Sequence, residues 1–300
     1  MTAPTASALS ASAATAAAAS ASVTAGTPGS AAALAAAARA SAADAASAGR
    51  SPTLDINCDM GESFGAFVMG NDLEVLAHVT SANIACGMHA GDPGVMHRTV
   101  AAAVERGVAV GAHPGLPDLQ GFGRRVMALS PAEVYDLTVY QIGALWAFTR
   151  AAGTTLHHVK AHGALYNMTA KDPAIADAVA RATRDVDPSL IVYVATATMA
   201  DAATALGLPV AYEVFADRTY QDDATLTPRS QADAMIEDPD LSIAQVKGMV
   251  VGGYVTSQNG KRVPVRADTL CIHGDQPGAA TFARRIREAL TQDGIRIATI

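Results

Sequence analysis

The chain has 300 residues, 50% hydrophobic and 16% charged, with 21 Lys and Arg against 28 Asp and Glu. That length and composition suffice for a sizeable core and exclude fully disordered, fibrous and disulfide-stapled classes. The first 50 residues contribute +1 to the net charge of -7, so the remaining body carries -8, and an acidic body argues against nucleic acid or an anionic membrane as partner.

Residues 1–50 hold 25 Ala, 8 Ser and 5 Thr, with Arg39, Asp44 and Arg50 as their only charges, which predicts a disordered low-complexity extension. A basic n-region and a Leu-rich h-region are both missing, so no secretory signal is expected, and no window reaches the roughly 18 apolar residues of a spanning helix. From 51 to 300 a single domain is predicted, because short β-type runs alternate with helical stretches. The runs are Leu54–Cys58, Ala82–Cys86, Val108–Ala112, Thr155–Ala161, Leu190–Ala195, Val210–Phe215 and Thr269–His273. Between them Asp92-Pro93, Ser130-Pro131 and Asp172-Pro173 open helices, and Glu133 completes a capping box with Ser130. Met96, Val100 and Val104 recur every four residues as one apolar stripe, and Gly107 and Gly153 serve as stops. Met249–Tyr254 and Arg262–Arg266 flank Asn259-Gly260, the signal of a hairpin inserted before the last strand.

Nearly every run ends in ionisable residues. Strand alternation puts Asp55, Asn57 and Asp59 on one face and Ile56 and Cys58 on the other, while His158, Lys160 and His162 share a face. Asn83 and His89 belong to or follow the second run, His113 the third, Glu213 and Asp217 the sixth, His273 and Asp275 the seventh. In a parallel barrel these carboxyl ends meet at one mouth, where such folds build their sites. Burying that many unpaired charges would cost several kcal/mol each, so the ring reads as a site.

Some of these residues have plainer roles. Asp92 and Asp172 precede proline and read as helix caps, His78, His97 and His157 as ordinary histidines, and Lys160 as a structural counter-ion to Asp55 or Glu213. Imidazoles with a carboxylate, with Asp59, His89 and His162 as the candidates, could hold a divalent metal that activates water. Alternatively a carboxylate acts as base while imidazole or Lys160 stabilises an oxyanion without metal. Arg124 and Arg125, after Gly121-Phe122-Gly123, and Arg218 could grip an anionic group or form a solvated basic loop. No HExxH, P-loop or GxSxG motif occurs. Cys58, Cys86 and Cys271 lack CxxC spacing and read as reduced thiols of a cytoplasmic protein.

At these same residues the sequence resembles the LamB/YcsF family, the A subunits of bacterial 5-oxoprolinase. The matching blocks are DINCDMGESFG at 55–65, ANIACGMHAGDP at 82–93, GAHP at 111–114 continuing through Pro117-Asp118 to GFGRR at 121–125, VKAHGALYN at 159–167, EVFADR at 213–218 and CIHGD at 271–275. The resemblance implies an α/β fold, a seven-stranded parallel β/α barrel like those of glycoside hydrolases and deacetylases. It also implies opening of the lactam of 5-oxoproline (pyroglutamate) to glutamate, coupled to ATP hydrolysis, together with the B and C subunits of such an enzyme. Without a P-loop here, ATP would be handled partly or wholly by those partners. Two departures stand out: Ala161 where the family has Pro, and Ala224 where it has Gly, the latter at a turn that prefers positive φ.

The leading expectation is therefore a lactam-hydrolysing subunit. Asp59 or Glu62 is the candidate base, and His89, His113 and His162 polarise the carbonyl or bind metal. Lys160 and Glu213 set the local charge, and Arg124, Arg125 or Arg218 anchors the substrate carboxylate. Asp55, Asn57, Asn83, Asn167, Asp217, His273 and Asp275 complete the substrate-binding set. The competing readings are a metal-dependent deacetylase or amidohydrolase acting alone, and a non-catalytic subunit that binds and presents the lactam.

Overall fold

A computed structural model describes residues 52–274 and 278–300. The Ala/Ser-rich extension and Asp275 lie outside the described residues. Strands β1 (Thr53–Met60), β2 (Ser81–Ala85), β3 (Ala109–His113), β4 (Leu156–Val159), β5 (Ile191–Val194) and β6 (Val210–Phe215) lie side by side in chain order, all parallel. An antiparallel hairpin follows, β7 (Tyr254–Thr256) with β8 (Arg262–Pro264). Strand β9 (Thr269–His273) then pairs with both β6 and β1 and closes a seven-stranded barrel. Each of the seven β-type runs is a barrel strand. A last short strand, β10 (Arg296–Ile297), pairs with the first two residues of β1.

The period-two pattern of β1 explains the layers. Leu54, Ile56, Cys58 and Met60 are fully buried in the apolar core between sheet and helices, while Asp55, Asn57 and Asp59 project into the lumen and are bonded there to other strands. The lumen is thus filled with polar side chains, where barrels of this kind usually carry Val, Ile and Leu. Gly111 on β3 belongs to this packing, since a Cβ there would overlap the imidazole of His158. The absence of a side chain on one strand makes room for a large ring from its neighbour.

Around the barrel run α1 (Asp72–Val75), α2 (Pro93–Glu105), α3 (Pro131–Ala151), α4 (Gly163–Lys171), α5 (Pro173–Val186), α6 (Ala197–Ala205), α7 (Pro239–Val250) and α8 (Ala279–Gln292). Asp92 and Asp172 accept from backbone N–H groups of the first turns of α2 and α5, and Ser130 with Glu133 forms the full capping box on α3. Gly107 and Gly153 take left-handed φ just beyond α2 and α3, as expected of stops. Two local expectations are corrected. Val104 is 37% exposed, and the buried face of α2 runs through Met96, Val100 and Ala103 instead. Met249 and Val250 end α7, so the hairpin begins only at Tyr254. Its turn carries Gly260 at φ +75. Among the described residues no helix is long and apolar enough to cross a membrane.

Candidate functional site

The candidate site is the carboxyl mouth of the barrel, where the polar strand ends converge, and the lumen below it fixes its geometry. At the floor Asp55 accepts hydrogen bonds from the hydroxyls of Thr80, Ser81 (2.7 Å), Thr269 (2.6 Å) and Tyr193 (3.1 Å). One layer up, the amide of Asn83 donates to Asn57 Oδ1 (2.7 Å) and Asp59 Oδ1 (2.8 Å), and its own Oδ1 takes His158 Nε2 at 2.7 Å. The ring of His158 stacks on Tyr193 with centroids 4.1 Å apart. Asp55, Asn57 and Asn83 are fully buried and bonded to other lumen residues, so they support the mouth from beneath.

Lys160 is the cation of the mouth. Its Nζ lies 2.8 Å from Asp59 Oδ1, 2.9 Å from Glu213 Oε1 and 3.1 Å from Cys271 Sγ. Of the two partners expected for Lys160, Glu213 is found and Asp55 is not: the ammonium bridges Glu213 and Asp59, and Asp55 is left to the hydroxyls below. Burial disfavours the ammonium, yet Asp59 foremost among the neighbouring groups holds its pKa well above the ordinary value. Burial likewise opposes ionisation of Asp59, but His113 and Lys160 outweigh it and hold that carboxyl well below the usual range. Glu213 is steadied from the other side by the Tyr166 hydroxyl at 2.8 Å.

Beside Asp59 lie three imidazoles. His113 ends β3, His162 is the N-cap residue of α4, and His89 sits in the turn after β2, closed by Gly87 N–H donating to Ala90 O. His113 Nδ1 lies 2.7 Å from the Lys160 carbonyl and His162 Nε2 lies 2.8 Å from the Phe122 carbonyl. A carbonyl only accepts, so both nitrogens carry hydrogen. The opposite nitrogens, His113 Nε2 and His162 Nδ1, face each other at 3.1 Å. His89 is fully buried and stacks on His162 with centroids 3.7 Å apart. Burial first, and the neighbouring imidazoles second, depress the pKa of His89 well below the ordinary value and that of His162 to about 3. Glu62, on the loop after β1, places Oε1 3.5 Å from His162 Nδ1 and 3.7 Å from His89 Nε2.

The loops that present these rings are stitched together. His162 N–H donates to Pro114 O and Ala164 N–H to Gly123 O, while the Gln141 amide clasps both backbone groups of Gly115. Gly123, at φ +63, lies against the rings so closely that a Cβ would come 2.7 Å from His89 Cβ and 2.9 Å from His162 Cδ2. Asp92 does more than cap α2, since it also takes Gly65 N–H at 2.8 Å and ties the Glu62 loop to α2.

The arginines divide. Arg125 is committed to Asp118, with Nε 2.9 and 3.1 Å from its two oxygens. Arg218 is buried and donates to the Thr227 and Ala234 carbonyls. Arg124 is exposed, its guanidinium 4.9 Å above the Phe122 ring. Arg229, which the sequence did not single out as a site residue, reaches His273 Nε2 at 3.0 Å, and His273 Nδ1 is held by Asp217 at 2.7 Å. Tyr166 and Cys271, at the Lys160 head group, were also missed, because neither stands out by charge. Asn167 is exposed on α4.

One donor atom each from Glu62, His89, His113 and His162 lie within 4.8 Å of one another, as do atoms of Asp59, Cys271 and His273. Three imidazoles with a carboxylate suit a divalent transition metal. Of the three residues expected to ligate one, His89 and His162 are in the first group and Asp59 is in the second. Chemically, the mouth offers an ionised carboxylate, a fixed ammonium and three closely packed imidazoles, two of them oriented by backbone carbonyls, around one small space.

The solved structure of a lactam utilization protein from Thermus thermophilus superposes with a TM-score of 0.79 at 48% identity, covering 83% of this chain and 100% of that one. The second of the 5-oxoprolinase A subunits of Bordetella bronchiseptica is 68% identical over 249 residues, 83% of this chain and 100% of the relative. The 5-oxoprolinase A subunit of Bacillus subtilis is 58% identical over 248 residues, 82% and 96% of the two chains. The LamB/YcsF family model matches residues 54–300, the whole of the barrel with its mouth, and the chain belongs to the LamB/YcsF family.

Proposed function

We propose that this chain is the A subunit of a 5-oxoprolinase, which with the B and C subunits opens the lactam of 5-oxo-L-proline to L-glutamate at the cost of ATP hydrolysis. The names of its relatives support the reaction, and the arrangement around Asp59 supports the barrel mouth as its seat. Lys160 and Asn83 occupy Oδ1 of that carboxylate, leaving Oδ2 beside His113 Nε2 at 3.4 Å. A water held at Oδ2 would give its proton to Asp59 as its oxygen adds to the lactam carbonyl, and the ring C–N bond then breaks with the nitrogen taking up a proton. The depressed pKa of Asp59 makes it a weak base. Attack therefore needs a carbonyl made more electrophilic beforehand, which is the step ATP would drive. With no P-loop in this sequence, we assign the nucleotide wholly or mainly to the partner subunits.

We assign the substrate carboxylate to Arg229, whose guanidinium stands at the mouth beside His273; Arg125 is held by Asp118 and Arg218 is buried against backbone carbonyls. Three buried free thiols support a cytoplasmic location. The test is ATP-dependent glutamate release from 5-oxoproline by the chain alone and mixed with the B and C subunits. Activity is expected only in the mixture, and Asp59→Asn should lower kcat by at least about 100-fold while leaving assembly intact. Full activity of Asp59→Asn would remove Asp59 from the base role. The imidazole cluster favours a second reading, a metal-dependent amidohydrolase acting alone, which activity without partners would support.

A further inference from the structure

We infer that Glu62, His89, His113 and His162 form a binding site for one divalent transition-metal ion. The argument begins with tautomers. Backbone carbonyls take the N–H of His113 Nδ1 and of His162 Nε2, so the lone pairs of His113 Nε2 and His162 Nδ1 point at each other across 3.1 Å. Two acceptors at that distance repel unless something positive lies between them. The same His113 nitrogen also has the Asp59 carboxylate at 3.4 Å, and the same His162 nitrogen has Glu62 Oε1 at 3.5 Å. An extra proton on His113 Nε2 could bond to one of these acceptors at a time, whereas a cation seated among the four residues serves all of their donor atoms at once.

His89 is an independent observation pointing the same way. Its side chain is fully buried, and neither ring nitrogen has a hydrogen-bond partner among the described residues. Buried polar atoms are nearly always satisfied, so an orphaned imidazole in a native core signals a missing ligand. Its Nε2 lies 3.7 Å from Glu62 Oε1. In a tetrahedral site with bonds of about 2.0–2.1 Å, ligand atoms stand about 3.3–3.4 Å apart. The separations of 3.1, 3.5 and 3.7 Å in this cluster bracket that value and none of its donor pairs exceeds 4.8 Å, so side-chain adjustments of about an ångström would seat an ion. The carbonyls of Lys160 and Phe122 are the outer partners that metal-bound histidines require to fix ring and tautomer.

Imidazole-rich donors select Zn²⁺ and its transition-metal neighbours over Mg²⁺ or Ca²⁺, which prefer oxygen. The second group, Asp59, Cys271 and His273, carries no such argument. Lys160 already sits on Asp59 and Cys271, and Asp217 and Arg229 take the two nitrogens of His273.

The inference stands apart from the oxoprolinase reading, because its test needs neither substrate nor partner subunits. The full chain, freed of any affinity tag and stripped with a chelator, is dialysed against Zn²⁺ and the bound metal is measured by mass spectrometry. One equivalent is expected. His113→Gln and His162→Gln should bind at least about 100-fold more weakly, and His97→Gln, exposed on α2, should match the unaltered chain. Should a site variant fail to fold, histidine NMR of the unaltered chain gives a second readout: Zn²⁺ should shift the resonances of His89, His113 and His162 and spare that of His97. A chain that takes up no ion, variants that bind as well as the unaltered chain, or Zn²⁺ shifts confined to other histidines would overturn the site.

Discussion

Replacing Lys160 by Met tests the electrostatics of the mouth directly. The ammonium lies within 2.9 Å of both Asp59 and Glu213, and Met fills similar volume without the charge. Each carboxylate keeps one other donor, Asn83 for Asp59 and Tyr166 for Glu213, but no cation remains between them. Breaking a buried ion pair by removing one partner costs roughly 3–5 kcal/mol, which in a domain of this size lowers Tm by roughly 6–20 °C. The deficit itself should depend on pH. In the native chain the folded-state pKa of Asp59 is depressed, so its contribution is present above the unfolded value of about 3.9 and lost as pH falls through the depressed one. In Lys160→Met the Asp59 carboxyl loses one of the two groups that offset its burial, so its pKa rises and the deficit is greatest at neutral pH and shrinks as pH falls toward about 4. Urea unfolding followed by circular dichroism between pH 4.5 and 7.5 measures both effects. A loss below about 1 kcal/mol at neutral pH, or a deficit that does not change with pH, would refute the account of Lys160 as the required counter-ion.

Ala224 holds φ +66, a conformation that costs an L residue about 1–2 kcal/mol. Ala224→Gly should therefore raise the unfolding free energy, measured in urea, by about 0.5–1 kcal/mol once the added unfolded-state entropy of glycine is offset. Cys58, Cys86 and Cys271 are all buried and free, and burial pushes the Cys86 thiol up to about 12 and the other two well above the ordinary value. A thiol reagent should accordingly find no fast-reacting group in the native chain and three in urea, and a stoichiometric native reaction would contradict this packing. Arg229→Met should raise KM for 5-oxoproline at least about tenfold in the assembled enzyme, with kcat changed less. An unchanged KM would remove Arg229 from the anchor role.

The fold was legible because β1 alternates without exception, apolar outward and polar inward, and because Asp-Pro and Ser-Pro pairs mark helix starts by local chemistry that tertiary context leaves intact. The ring at the mouth was legible for the same reason: ionisable residues at strand ends are an anomaly that only convergence explains. Partners were not legible, because pairing is set by barrel geometry. Nothing in the spacing of Lys160 distinguishes Asp55 from Asp59, which share one face of β1, yet only the upper one is within reach. Arg125 and Arg218 looked like anchors since charge is visible in sequence and its commitment to Asp118 or to a carbonyl is not.

The polar lumen explains why so exposed a chemistry can be held so firmly. From the floor, four hydroxyls converge on Asp55. Thr269 also accepts from Asn57 at 2.7 Å, Asn57 accepts from Asn83, and the same Asn83 amide reaches Asp59. Tyr193 joins this ladder to the stacked ring of His158, whose N–H fixes Asn83 from the far side. An apolar lumen would pack as tightly but could not orient a carboxylate, because dispersion has no direction. Hydrogen bonds do, and a network in which each member has its partner is rigid. The oxygen of Asp59 that faces the mouth is thereby positioned by residues on β1, β2, β4, β5 and β9, most of the wall of the barrel. Substitutions at Asn57 or Asn83, which the side chains of the mouth conceal from solvent, should therefore impair turnover through Asp59 while leaving the outer apolar core intact.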